Sequence, residues 1–144
     1  MLLSTRRQRD SFGVLLNMQK YMLIAVGGAL GSVARFWVTS AVAARMGIAF
    51  PFGTMAVNLA ACLIIGFLIT SASMRAGIGS AWRYLVAVGF IGAFSTFSTF
   101  EWETYATVRS GAFLLAALYA GGSLILGLIG VWSGTFLAKA VSWG

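Results

Sequence analysis

Gly89-Phe-Ile-Gly-Ala-Phe-Ser-Thr-Phe-Ser-Thr-Phe100 decides the reading of this chain. The stretch lies within an apolar run long enough to cross a membrane, yet hydroxyl residues alternate with Phe through its middle. Ser95, Thr96, Ser98 and Thr99 carry side chains that bond back to helix carbonyls and bend or open a helix. Gly89 and Gly92 weaken the helix further. Irregular backbone at membrane depth is tolerated only inside protein or along a cavity, and the carbonyls and amides it frees bind ions. The expectation is a membrane span broken near residues 92–96.

The flanking runs make lipid the solvent. The 144 residues are 60% hydrophobic and 9% charged, against roughly half apolar and a quarter charged in soluble domains. A chain this short has no single core large enough to bury that much apolar surface. A spanning helix needs about 20 residues, and the apolar runs predict four, over 21–44, 53–73, 82–108 and 112–141. They occupy nearly the whole chain and leave no room for a soluble catalytic domain. The fold class is therefore an all-α integral membrane protein, one domain over 21–144, with the third helix broken mid-membrane. Residues 1–20 read as a disordered or interfacial tail. Val14–Leu16 is too short an apolar core for a signal peptide, and Met18, directly before the first span, is a candidate natural start.

The net charge is +7. Nine cations lie between or beside the apolar runs, as membrane flanks do, and this scatter excludes a nucleic-acid surface. Arg6, Arg7, Arg9, Lys20, Arg75, Arg83 and Lys139 fall on one side, Arg45 and Arg109 on the other. Seven against two puts both termini in the cytoplasm. Without the three arginines of the tail the count is four against two, a bias weak enough for insertion both ways. The chain has no His, which removes the commonest general base and metal ligand. The single cysteine, Cys62, reads as an inert packing thiol.

Several polar groups stand inside the spans. Arg35 is deep in the first, where a charge is expensive; it either snorkels to an interface or serves an electrostatic role in the assembly. Thr54 and Asn58, at i and i+4 on the second span, make a polar stripe that either bonds another helix or lines a path. Tyr119 and Ser123 repeat that spacing on the fourth. Phe94, Phe97 and Phe100 share a helical face, either for packing or to offer positively polarised ring edges to an anion. Gly27 and Gly31 form a pair of the kind that lets helices approach closely. The central polar groups are donors or neutral, so a path lined by them favours a small anion.

These residues resemble the Fluc fluoride channels, the CrcB family. The resemblance runs from about Ile24 to Lys139. It rests on Gly-Gly-Ala-Leu-Gly-Ser-Val-Ala-Arg (27–35), Gly-Thr-Met-Ala-Val-Asn (53–58) and the 89–100 stretch. It implies an antiparallel, dual-topology homodimer in the plasma (inner) membrane, with two fluoride pores and passive export of toxic fluoride. It also implies a structural sodium ion held by the backbone carbonyls of Gly92 and Ser95. By motif position Phe97, Phe100 and Asn58 match the pore residues. Thr54, Ser98, Thr99, Tyr119 and Ser123 match the polar track, and Glu103 the carboxylate that follows the Phe motif. Gly127 stands where some relatives carry a further serine, and Ser95 where many carry Thr.

The alternative is a small proton-coupled drug exporter, which also has four spans but needs a titratable carboxylate within one. Only Glu101 and Glu103 come near, toward the end of the third. A non-transporting scaffold leaves the polar third span unexplained. An enzyme lacks His, paired carboxylates and an activated nucleophile.

Overall fold

A backbone surrounded by lipid has no water to bond with, so each segment must close its own hydrogen bonds. The chain does this with helices. The computed structural model describes residues 2–74 and 80–142, with side chains for 18–74 and 81–141. The order is α1 (Leu2–Met46), α2 (Phe52–Met74), α3 (Ser80–Trp82), a π-helix (Arg83–Ile91), α4 (Gly92–Phe94), α5 (Phe97–Arg109) and α6 (Phe113–Ser142). Four stretches are long and apolar enough to span a membrane: Met18–Met46, Phe52–Met74, Arg83–Arg109 and Phe113–Val141. They match the expected spans to within a few residues. The expected tail over 1–20 enters the structure as the N-terminal part of α1; its side chains up to Asn17, and Arg75 of the charge count, lie outside the described residues.

Two tight connections have glycine for a reason. Gly47 (φ 77°) ends α1 and Gly111 (φ 82°) follows α5, both in the left-handed region where a Cβ is strained. Gly47 N–H donates to Ala43 O at 2.9 Å, and Gly111 N–H to Val108 O at 3.0 Å, closing the last turns. Pro51 then sets the entry to α2, its carbonyl accepting from Met55 N–H at 3.1 Å.

The helices pack mainly as two pairs, α2 with α6 and α1 with the π-helix. Both pairs bring backbone against backbone. A Cβ at Gly66 would collide with the Val131 carbonyl, and one at Gly134 with that of Leu63. In the other pair, Gly27 and Gly31 leave no room for a Cβ beside the carbonyls of Leu85 and Phe90. A small core of Val57, Ala61, Ile91 and Phe94 joins the pairs. Outside it, large apolar side chains such as Phe36, Leu114, Leu128 and Trp132 are more than 70% exposed. A surface of that kind belongs against lipid or another chain.

The third span is irregular in its first half, before α5. Its π-helix runs for nine residues, whereas π geometry usually occurs as single-turn bulges. Ser95 (φ −77°, ψ 160°) and Thr96 (φ −151°, ψ 120°) are then extended between α4 and α5. This interruption corrects one expectation. Phe94 does not share a face with Phe97 and Phe100, because the two extended residues reset the helical phase. Phe94 is buried and stacks on Phe90, with centroids 5.8 Å apart. Phe97 and Phe100 pair with each other at 5.9 Å.

Candidate functional site

Asn58 holds the extended residues in place. Its Nδ2 donates to the Thr96 carbonyl at 3.0 Å, and the Thr96 N–H donates to its Oδ1 at 2.8 Å. An amide group carries two N–H donors, so one remains for a further acceptor. Thr96 in turn caps α5. Its hydroxyl accepts from Thr99 N–H at 3.4 Å and lies 3.0 Å from the Thr99 hydroxyl. Thr is a favoured helix N-cap.

These bonds have a cost elsewhere. In an unbroken helix the Thr96 amide would donate to the Gly92 carbonyl and the Thr99 amide to the Ser95 carbonyl. Both amides are diverted, to Asn58 Oδ1 and Thr96 Oγ1. Gly92 and Ser95 therefore lose their regular i+4 donors at the same break. The Ser95 hydroxyl donates back to Ile91 O at 3.2 Å. Nothing lies within 4 Å of a Cβ built on Gly92.

Glu103 ties three helices together. Thr54 Oγ1 of α2 donates to Oε1 at 2.7 Å, and the Tyr119 hydroxyl of α6 donates to Oε2 at 2.8 Å. Thr54 and Tyr119 are both buried, so these bonds satisfy hydroxyls cut off from water. The Tyr119 ring packs on Phe100 at 5.1 Å and edge-on to Phe50 at 5.4 Å.

Two cavities meet near this cluster. One, about 540 Å³, is bounded by Asn58, Gly92, Ser95, Thr96, Phe97, Phe100 and Ser123 among others. The other, about 430 Å³, is bounded by Thr39, Phe50, Thr54, Glu103 and Thr107 among others. Phe100 lines the first, Thr54 and Glu103 the second, and Tyr119 touches all three. The first wall offers neutral donors and ring edges, a lining that replaces part of an anion's hydration shell without trapping it behind a fixed positive charge.

Most of the expected residues thus come together, from three spans. Ser123 Oγ is buried and has no hydrogen-bond partner among the described residues. Phe97 is 71% exposed, and Ser98 and Thr99 are exposed beside it, on a face the single chain leaves open. Thr54, Ser98, Thr99, Glu103, Tyr119 and Arg35 are not on the wall of the larger cavity. Arg35 is half-buried on α1, and its carbonyl accepts from Thr39 Oγ1 at 3.0 Å. Sequence reasoning missed two participants. Thr96 was visible only as one hydroxyl among four, although a Thr directly before a helix start is a capping signal. Cys62, read as inert packing, lies on the wall of the larger cavity.

The sequence also matches known proteins. Residues 22–135 match the family model described as CrcB-like protein, Camphor Resistance. The chain is 46% identical over 120 residues to the "Fluoride-specific ion channel FluC" of Solibacter usitatus, covering 83% of this chain and 98% of that one. It is 42% identical over 122 residues to the protein of the same name from Acidobacterium capsulatum, covering 85% and 98%. The one from Nitratidesulfovibrio vulgaris is 42% identical over 124 residues, covering 86% and 100%.

Proposed function

Since this chain is a multi-pass membrane protein of the CrcB-like family, we propose that it is a fluoride-selective channel that lets a cell lose toxic fluoride passively. The observation that carries this reading is the cavity wall itself. Asn58, Thr96, Ser123 and the rings of Phe97 and Phe100 surround one space, with an unused amide donor and an unpartnered hydroxyl. Fluoride is small and strongly hydrated, and such a lining offers it several weak sites, which is what conduction needs. The named relatives are ion channels, not enzymes.

The working unit is an antiparallel homodimer of the 21–144 domain, with two pores. The open face bearing Phe97, Ser98 and Thr99 would be completed by the second copy. A sodium ion at its centre fits the residues present. The Gly92 and Ser95 carbonyls both lose helical donors, which are diverted to Asn58 and Thr96, and carbonyl oxygen suits a hard cation. The two carbonyls of each subunit would hold the ion, and its charge would tie the subunits together at the break. Arg35 supplies positive potential near a vestibule, and Glu103 fixes Thr54 and Tyr119 along the track. Residues 1–20 remain a tail outside the conducting unit.

Fluoride efflux from liposomes containing the purified protein tests the reading. Efflux that greatly exceeds chloride efflux, with no proton gradient imposed, is the expected result. Absence of fluoride flux, or flux that requires a proton gradient, would overturn it, the latter in favour of a proton-coupled exporter.

A further inference from the structure

Thr54, Asn58 and Cys62 follow one another at i, i+4 and i+8 on α2, and Tyr119, Ser123 and Gly127 do so on α6. The two rows face each other level by level. Thr54 and Tyr119 meet at Glu103, and Asn58 and Ser123 bound the same cavity one turn on. At the third level α6 has no side chain. A Cβ built on Gly127 would lie 3.4 Å from Cys62 Sγ, so the cysteine lies directly beside the position that α6 leaves bare. Cys62 and Gly127 both line the cavity, and the nearest donor above them is the buried, unpartnered hydroxyl of Ser123.

We infer that Cys62 is a wall residue of the ion path, one turn beyond Asn58 and Ser123, where its thiol sets the width and polarity that Gly127 leaves undefined. This rests on the channel reading above. A thiol is a weak donor and larger than a hydroxyl. At this level the path is therefore bounded by a weaker donor on α2 and by bare backbone on α6. The physical consequence is chemical access. The chain has one cysteine, so a neutral thiol reagent carried by water in the path modifies this atom and no other. With methyl methanethiosulfonate, the thiol gives up its proton to water, its sulfur displaces methanesulfinate, and a methyl disulfide remains in the path.

The test uses the full chain in liposomes, with fluoride efflux measured before and after the reagent and the mass of the recovered protein measured alongside. The expected result is one added methylthio group and a fall in flux of about tenfold or more. Cys62→Ser and Cys62→Ala should each show treated and untreated flux equal. The readout is each protein's own ratio, so a change in basal flux does not obscure it. Full flux through wild-type protein that carries the modification overturns the inference and leaves the channel reading standing. So does a Cys62 that stays unmodified while fluoride passes. Wild-type protein with no fluoride flux overturns the channel reading and this inference with it.

Discussion

Asn58 carries two loads, since the amide that faces the cavity also ties down the extended backbone at Thr96. Asn58→Asp keeps the shape but replaces donors with a negative charge and sets a carboxylate against the Thr96 carbonyl. Fluoride flux should fall by about tenfold or more; flux equal to wild type would remove Asn58 from the path. Thr96 acts through the backbone. Thr96→Ala deletes the cap on α5 and should cost about 1 kcal/mol, read as a lower thermal midpoint in detergent, with Thr96→Ser close to wild type. An unchanged midpoint for the alanine variant would mean that Asn58 alone holds the break. At Glu103, Glu103→Gln keeps the shape but turns one of the two acceptor oxygens into a donor, so one hydroxyl loses its acceptor; flux should drop more than it does for the exposed Glu101→Gln, and equal effects would argue against a joining role.

Among the elements, the α2–α6 and α1–π-helix contacts are the most exacting, because two glycines in each face carbonyl backbone. Gly66→Val should destabilise the protein by about 1–3 kcal/mol and lower its thermal midpoint. Gly121→Ala is a useful contrast, since nothing lies within 4 Å of a Cβ there. A tolerant Gly66 would mean that the pair can slide apart without loss. The spans themselves were legible in the sequence, because an apolar run of membrane length admits few other structures, and their ends fell close to where Arg83, Arg109 and Pro51 punctuate the chain. The π-helix was not legible. Its residues Arg83–Ile91 carry an ordinary apolar pattern, and the wider winding accompanies the close approach of Gly27 and Gly31, which lie far away in sequence. The shared face of the three Phe residues was likewise a local inference, undone by two extended residues. Thr54, Asn58, Tyr119 and Ser123 could be found from i, i+4 spacing, whereas the meeting of Thr54 and Tyr119 at Glu103 depends on how three helices pack.

For the molecule as a whole, the proposed sodium ion and the proposed pairing stand together. Replacing sodium with a large organic cation should dissociate the dimer or abolish its flux, because the Gly92 and Ser95 carbonyls would face one another without a charge between them. A dimer indifferent to the change would take the ion out of the assembly. Much of the surface of a single chain is apolar, and the large side chains that are more than 70% exposed occur on α1 and α6 alike.

The division into two welded pairs has an evolutionary consequence. Within each pair the backbones touch, so a substitution at the weld is felt as a loss of folding. Between the pairs lies a small core of Val57, Ala61, Ile91 and Phe94, with the polar groups arranged along the same seam. Substitutions of modest size in that core would tilt one pair against the other and alter the spacing of Asn58, Thr96 and Ser123 while leaving each of them in place. Descendants of this chain could therefore diverge in throughput or ion preference through residues that never meet the ion.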